Sequence, residues 1–408
     1  MALDGVDPLR TLRSEFVVPD GIYLDGNSLG PMPHCARTRV LECLDGTWSR
    51  DLIASWNTAG WVDLPRTVAT KIAPLIGADA GSVRVADSTS VNLFKVLAAA
   101  LALRPDRRRI VSLRSNFPSD LYVAEGLTGL MGGTHALDWI DAPDDPTTAI
   151  REAMGPDVAV LLLTHVDYRT GRMLDMEGLT EAAHEAGALA VWDLAHSTGA
   201  VPVDLVGAGA DFAVGCGYKF LNGGPGAPAH LFVAPQHHRD ARNPLSGWFA
   251  HAEPFAFDPA FRADGGVDRF LCGTPPVLST LALDAALELW RDIDLRAVRQ
   301  KSITLGDLLI ARIEGGAADL GLELASPRNG NERGSQVSFR YANAFPLVSA
   351  LIERGITGDF RAPNIARFGL TPLYTRYQDV WDAAEAVVDV LQSGAWNEPR
   401  HHRRRAVT

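Results

Sequence analysis

The 408-residue sequence has few of the features that mark several classes of protein. Its four cysteines, Cys35, Cys43, Cys216 and Cys272, form no C-x-x-C pair, which argues against a metal or redox motif and favours a reducing compartment. No apolar run approaches the roughly 18 residues that a membrane helix needs. Residues 1–16 also lack the basic-then-apolar order of a signal peptide. We therefore expect a cytoplasmic protein with no membrane partner and no metal.

An excess of positive charge is also missing. The formal net charge is −11 at pH 7, and no internal stretch gathers enough basic residues to follow a nucleic-acid backbone. The basic run at residues 400–405 is interpreted as a frayed, solvated terminus. These observations exclude nucleic acid as the expected partner and favour a small molecule.

Short β-branched runs alternate with helical stretches between about residues 81 and 235. This alternation is typical of an α/β fold with a mainly parallel sheet flanked by helices. The predicted strands are 109–113, 158–164, 189–193, 211–216 and 230–233, and the predicted helices of this region are 91–103 and 176–186.

The remainder of the chain predicts a smaller α+β domain. Helical periodicity returns at 277–313, an alternating run follows at 336–341, and an amphipathic helix is predicted at 379–391. The expected divisions are an N-terminal segment packing with the small domain (1–55), a large domain (56–285), a small domain (286–395) and a disordered tail (396–408).

Lysine is scarce, and one of the four lysines differs from the others in its surroundings. Lys219 follows the predicted strand 211–216 and precedes the glycine-rich residues 222–226, where backbone can approach a ligand closely. Lys71 and Lys301 lie in ordinary helical patterns, and Lys95 falls inside an apolar helix. A surface lysine is the ordinary alternative for Lys219, but its place at the ligand-binding edge favours a functional role.

Ligands of open parallel sheets bind beyond the carboxyl ends of the strands. In this sequence Phe117 and Asp120 follow the first predicted strand, Thr164 ends the second, and Asp193 ends the third with His196 one turn on. A buried Asp193 needs a positive partner, which a protonated pyridine nitrogen could supply. A structural aspartate that caps the next helix is an equal alternative.

A hydroxyl-rich run, residues 87–90, stands just before the helix predicted at 91–103. Hydroxyls and free N–H groups at a helix start suit a phosphate, although serine-rich caps without a ligand are common. Together with Lys219 and Asp193, the run supplies the three anchors that pyridoxal phosphate (PLP) requires, for its aldehyde, ring nitrogen and phosphate.

Seven segments spread over nearly the whole chain resemble kynureninases, a PLP-dependent family of fold type I, and in particular the bacterial type. The segments are 24–30 (LDGNSLG), 117–122 (FPSDLY), 168–171 (YRTG), 193–196 (DLAH), 218–226 (YKFLNGGPG), 273–276 (GTPP) and 372–374 (PLY). The resemblance implies a homodimer with active sites shared between subunits. It implies hydrolytic cleavage of L-kynurenine to anthranilate and L-alanine, as in tryptophan catabolism and NAD biosynthesis.

The resemblance also implies roles for individual residues. The catalytic pair would be Lys219, which carries PLP as a Schiff base, and Tyr218, which donates a proton. The other cofactor-binding residues would be Thr89, Ser90, Phe117, Asp120, Thr164, Asp193 and His196, with Trp248 and Thr274 reaching in from the second subunit. The substrate-binding residues would be Ser28, Trp56 and Arg367, with Arg367 holding the substrate carboxylate.

Three alternatives stay open at this point. Trp56 and Gly273-Thr274 resemble the bacterial branch that favours kynurenine, but 3-hydroxykynurenine or another ring-substituted kynurenine remains a possible substrate. A cysteine desulfurase-like lyase needs a thiol on a mobile loop, and the polar loop at 326–333 has none. A non-enzymatic PLP-binding protein would not need Lys219, Asp193 and Arg367 together.

Overall fold

The structure is a computed structural model that describes residues 2–142, 144–317 and 319–403. Its strands are, in chain order, β1 (Phe16–Val17), β2 (Ile22–Tyr23), β3 (Met32–Pro33), β4 (Val83–Ala86), β5 (Arg109–Leu113), β6 (Ala136–Ile140), β7 (Val158–Thr164), β8 (Leu189–Asp193), β9 (Phe212–Gly215), β10 (Ala229–Val233), β11 (Glu323–Leu324), β12 (Gln336–Arg340), β13 (Ile356–Thr357), β14 (Asp359–Arg361) and β15 (Ile365–Gly369). Its α-helices are α1 (Ala2–Val6), α2 (His34–Glu42), α3 (Ser55–Thr58), α4 (Leu64–Ile72), α5 (Thr89–Ala102), α6 (Pro118–Leu130), α7 (Pro146–Ala153), α8 (Met176–Glu185), α9 (Val277–Glu288), α10 (Leu295–Ala317), α11 (Ala344–Glu353) and α12 (Tyr377–Ser393).

A seven-stranded sheet of order β4-β10-β9-β8-β7-β5-β6 forms the larger part of the fold. The five strands β5 to β9 run parallel to one another. The next strand, β10, runs antiparallel both to β9 and to the edge strand β4. Every residue of β7 is buried, as expected for a parallel strand covered by helices on both faces. The prediction of a mainly parallel α/β sheet is confirmed.

The five strands predicted for this sheet are all present, but β4 and β6 were not predicted. β4 has only four residues, too few to establish a period. β6 is an edge strand without a fully buried residue, so its sequence carries no apolar run.

A separate four-stranded sheet of order β11-β12-β15-β14 forms the smaller part of the fold. Its core is filled by apolar side chains of α10, α11 and α12. The helical run predicted at 277–313 is interrupted by a 3-10 turn at Leu289–Asp292, which separates α9 from α10. None of the helices in the described ranges is both long and apolar enough to cross a membrane.

The N-terminal segment contacts both cores. Phe16 is buried in the core of the large sheet, whereas Leu24 is buried in the core of the small sheet. β2 pairs in parallel with β13, and Gly30 donates its N–H to the Tyr218 carbonyl at 2.9 Å. A Cβ at Gly30 would collide with the backbone oxygen of Lys219, so this position requires glycine. The segment therefore connects the small sheet to the loop that carries Lys219.

The prediction of a disordered tail over 396–408 is wrong for its first part. Two 3-10 turns, Ala395–Asn397 and Pro399–His402, continue the chain beyond α12. His401 is buried, where it is hydrogen-bonded to Ser349 at 3.2 Å and faces Glu353. Of the basic run, residues 404 and 405 lie outside the described residues.

Candidate active site

Lys219 lies in the turn after β9, at the carboxyl ends of the parallel strands. Its ammonium nitrogen is 5.9 Å from the centre of the Phe117 ring and 5.8 Å from that of Tyr218. Within the sheet, Thr164 at the end of β7 is paired in register with Asp193 at the end of β8. Three adjacent elements thus deliver a cation, an aromatic face and a carboxylate to one edge of the sheet.

Two buried carboxyl groups, Asp120 and Asp193, interact beside this lysine. Asp193 accepts the N–H of Ala195 at 2.7 Å, and Thr164 donates to Asp120 at 3.4 Å. Burial raises the pKa of Asp120 well above its usual range, and the neighbouring Asp193 adds to the shift. Burial also raises the pKa of Asp193, but the charge of Lys219 opposes that change. We therefore assign the proton of the pair to Asp120 and the negative charge to Asp193.

His196 joins the large sheet to the small one. Its Nδ1 donates to Oε1 of Gln336 on β12 at 3.2 Å, and Asn27 donates to the same oxygen at 3.1 Å. Burial, followed by the charge of Lys219, lowers the pKa of His196 well below its usual range. The ring is therefore neutral, and it adds no second positive charge beside the lysine.

Arg367 on β15 is buried and held on three sides. Its Nε donates to Asp359 Oδ1 at 2.7 Å, and its Nη2 also pairs with Asp359. Nη2 donates further to Ser28 Oγ at 2.9 Å, and Nη1 donates to the Tyr168 carbonyl at 2.7 Å. The Tyr168 ring stands edge-on to Phe117 at 5.2 Å. The charges of Lys219 and Arg367 both act on the buried His196 ring, so the large sheet and the small sheet each bring one cation close to that ring.

A second arginine and a second aspartate complete the cluster around Ser28. Arg361 donates to Ser28 Oγ at 3.1 Å and to Asp359 at 2.6 Å, and its buried Nε has no partner in the described part of the chain. Asp25 lies 4.0 Å from Arg367. Burial and the nearby Asp359 raise the pKa of Asp25 to about 7. This group changes charge near neutral pH beside the two arginines.

A cleft of about 580 Å³ lies at the start of α5. It is lined by Asp87 to Ser90, by Tyr218, by residues 225–229, and by Thr274 and Pro276. Ser90 Oγ and Ser119 Oγ are 3.0 Å apart, which joins the starts of α5 and α6. Burial raises the pKa of Tyr218 above its usual range, so its hydroxyl keeps its proton at neutral pH. Helix N–H groups and hydroxyls make this cleft suitable for a phosphate.

Trp56 and Trp248 lie together against Phe249. The ring centres are 6.1 Å apart for Trp56 and Phe249 and 4.5 Å apart for Trp248 and Phe249. These contacts, with Leu271 and Ala86, place both tryptophans in one apolar cluster next to the start of the residue 87–90 loop. The expected contribution of Trp248 to a second subunit stays a prediction, whereas Thr274, expected to reach in from the second subunit, lines the cleft at the start of α5 in its own chain.

Sequence reasoning missed Asp359, Arg361 and Gln336, and it gave Tyr168 no separate role. Tyr168 was visible only as part of the segment 168–171. Asp359 and Arg361 alternate on a three-residue strand, where no period is detectable from sequence. Their contacts with residues about 330 positions earlier could not be read from local pattern.

The residues present fit PLP. Lys219 would supply the amine for the aldehyde, and its side chain lies over an aromatic ring. Asp193 would supply a buried anion for the pyridine nitrogen, and the start of α5 would supply hydrogen-bond donors for the phosphate. Lys219 is close enough to Asp193 for its positive charge to favour the ionised form of that carboxyl group. The alternative of Asp193 as a helix cap is not supported, since its carboxylate accepts the N–H of Ala195 and no α-helix of the described ranges begins there.

The chain is similar to known proteins over its whole length. Residues 298–387 match the family model described as the kynureninase C-terminal domain. A kynureninase from Burkholderia pseudomallei (strain 1106a) is 50% identical over 413 aligned positions, covering 100% of this chain and 98% of the relative.

Two solved structures share the fold at low sequence identity. An apo cysteine desulfurase from Thermococcus onnurineus NA1 has a TM-score of 0.78 at 19% identity, covering 94% of this chain and 98% of that one. A mutant of C-DES, with glycine covalently linked to its PLP cofactor, has a TM-score of 0.79 at 14% identity, covering 92% and 99%. These two similarities show a PLP-enzyme fold. The identity to the Burkholderia protein over its whole length goes further: the chain belongs to the kynureninase family.

Proposed function

We propose that this protein hydrolyses the Cβ–Cγ bond of L-kynurenine, giving anthranilate and L-alanine, with PLP as cofactor. The observation that carries the proposal is a chain of contacts between Lys219 and Arg367: Lys219 lies over the Phe117 ring, Phe117 packs against Tyr168, and the Tyr168 carbonyl accepts a hydrogen bond from Arg367. An α-amino acid substrate of a PLP enzyme needs both an amine-exchanging lysine and a cation that binds its carboxylate.

Each cofactor contact is assigned to a residue of the site. Lys219 would hold the aldehyde, Asp193 the pyridine nitrogen, and Thr89 and Ser90 the phosphate. Phe117 would stack on the ring, with Asp120, Thr164 and His196 along its polar edge. When bound, PLP supplies an electron sink for the electron pair left at the α-carbon of the substrate.

The protein's own groups bind the substrate and move protons. Arg367 and Ser28 hold the carboxylate, because Arg367 is a buried cation and its Nη2 donates to Ser28 Oγ, which keeps the two side chains together. Lys219 takes the proton from the α-carbon once the substrate amine has replaced its own. Tyr218, whose raised pKa keeps its hydroxyl protonated, donates the proton that the β-carbon needs after the bond breaks.

We further propose a cytoplasmic homodimer in which Trp248 completes the site of the other subunit, whereas Thr274 lines the phosphate cleft of its own chain. Apolar side chains that are exposed in the single chain support this proposal, since Val17, Met32, Leu41 and Leu278 border one groove. Contiguous exposed apolar surface of this kind marks an interaction site. Light scattering tests it: a monomer at micromolar concentration would contradict the shared site.

The substrate is tested by incubating the purified protein with L-kynurenine and with 3-hydroxykynurenine in parallel. We expect anthranilate fluorescence and an equal amount of alanine from kynurenine, at the higher kcat/KM of the two. Lys219→Ala should lose the cofactor absorption band and turnover, whereas Lys71→Ala, at a lysine paired with Glu288 at 2.6 Å, should keep both. Alanine released from cysteine instead would support a desulfurase, and cofactor binding without turnover of any of the three would support a binding protein.

A further inference from the structure

Lys95 carries a fully buried positive charge that the proposed mechanism does not use. Its Nζ donates to the Phe270 carbonyl at 2.8 Å and to Asn92 Oδ1 at 3.3 Å, and it pairs with the carboxylate of Asp87. Burying an ammonium group is costly unless its partners compensate for the lost water. A residue interpreted from sequence as part of an apolar helix is therefore the centre of a polar network.

Asp87 connects this network to the cleft at the start of α5. It lines the cleft, and its backbone is in the left-handed region with φ of 45°. The carbonyl of Asp87 accepts the N–H of Ala229 at 2.8 Å, and Asn92 donates to the preceding carbonyl, that of Ala86, at 2.7 Å. A non-glycine residue keeps this conformation only where its surroundings fix it. Lys95 provides that fixation through the Asp87 side chain.

The charge of Asp87 is unfavourable for a phosphate site. A bare carboxylate in the cleft would repel a phosphate dianion, and the repulsion grows where water is excluded. Lys95 lies on the protein side of Asp87, where it is wholly buried, so it neutralises the carboxylate without filling the cleft.

The same ammonium group also contacts a second segment that lines the cleft. It bonds to the carbonyl of Phe270, and Thr274, four residues later, lines the cleft together with residues 88–90. The segment between them is fixed once more at Cys272, whose carbonyl accepts the Phe249 N–H at 3.2 Å. One buried nitrogen thus joins the loop at 87–90 to the loop at 270–274.

We propose that Lys95 is a positioning residue for phosphate binding, acting by neutralising Asp87 and by fixing the two loops that form the cleft. The proposal rests on the proposed function only in taking PLP as the ligand. It predicts an effect specific to ligands that carry a phosphate group.

The test compares the binding of PLP with that of pyridoxal, which lacks the phosphate, to the full-length apoprotein by absorbance titration. Lys95→Met should weaken PLP binding by about tenfold or more and change pyridoxal binding by less than about twofold. Asp87→Asn combined with Lys95→Met should recover at least half of the logarithmic loss, because it removes the uncompensated charge. Lys71→Met is the control, and it should bind both ligands like the wild type.

Several results would overturn the proposal: unchanged PLP affinity in Lys95→Met, equal losses for PLP and pyridoxal, no recovery in the double variant, or an equal loss in Lys71→Met. If Lys95→Met does not fold by circular dichroism, Lys95→Gln replaces it with the same expected outcome, since glutamine keeps a donor for Phe270 and removes the charge. A wild type that binds PLP but does not turn over kynurenine would contradict the proposed function and leave this comparison intact.

Discussion

Replacing Arg367 by lysine tests the substrate side of the site most directly. Arg367 makes hydrogen bonds at 2.7 Å to Asp359, 2.9 Å to Ser28 and 2.7 Å to the Tyr168 carbonyl, besides a second contact with Asp359. A single ammonium nitrogen cannot reproduce this planar arrangement. Hydrogen bonds to charged groups contribute about 1.5–3 kcal/mol each, so the loss of the arginine bond to the substrate carboxylate should lower kcat/KM about a hundredfold.

Two measurements separate carboxylate binding from general damage. The first is the affinity for the decarboxylated amine of kynurenine as an inhibitor, which should change little in Arg367→Lys because that ligand has no carboxylate. The second is the free energy of unfolding, which should fall by about 2 kcal/mol. The loss is smaller than that for a buried carboxylate left without any partner, because Arg361 still pairs with Asp359. Arg354→Lys, in an exposed pair with Asp389, is the matched control and should change neither property. If Arg367→Lys kept wild-type kcat/KM, or lost affinity equally for the amine, our assignment of the carboxylate site would be wrong.

Three other changes have definite expected outcomes. Asp25 gains negative charge as pH rises through about 7, so the KM for kynurenine should rise severalfold above that pH in the wild type. In Asp25→Asn the KM should stay level, and identical pH profiles of KM in the two proteins would contradict this role. Because its folded-state pKa is raised, Asp25 favours the folded state most at acidic pH and loses that contribution as pH rises through about 7, so urea unfolding of Asp25→Asn should depend less on pH between about 4 and 8. Gly30→Ala should destabilise the protein by about 3 kcal/mol and lower its cofactor occupancy. The control Gly126→Ala, on the open surface of α6, should be neutral or stabilising. Equal stability of the two variants would count against the close packing at Lys219. Asp193→Asn should lower cofactor affinity about tenfold or more, measured by absorbance titration, and an unchanged affinity would remove it from the cofactor site.

The parallel sheet was predictable because each of its central strands is a short, mainly apolar run, and two of these runs end in a polar residue. Thr164 and Asp193 illustrate this, since both end such runs and the structure pairs them in register. The strand ends in turn predicted Lys219, Phe117 and Asp120, because the carboxyl ends of parallel strands meet at one edge.

The small-sheet half of the site was not predictable in the same way. Asp359 contacts Ser28 at 3.0 Å across 331 residues of sequence, and Gln336 contacts Asn27 across 309. Such pairs depend on how the two sheets dock, which no local period encodes. The resemblance supplied Arg367, but only the structure supplied the partners that orient it. Lys95 does lie in the apolar helix expected from the sequence, but that pattern does not show that Asp87 and Phe270 lie at the end of the lysine side chain.

The two cations of the proposed site belong to different parts of the fold. Lys219 follows a strand of the large sheet, and Arg367 lies on β15 of the small sheet. The N-terminal segment fixes both, because Gly30 packs on the backbone of Lys219 and Ser28 bonds to Arg367. A shift of the small sheet would therefore move Arg367 and Ser28 relative to Lys219 while leaving the phosphate cleft unchanged. Because cofactor binding depends on the large sheet and carboxylate binding on the docking of the two, substitution of Gln336, the small-sheet partner of His196, should raise KM before it weakens PLP affinity.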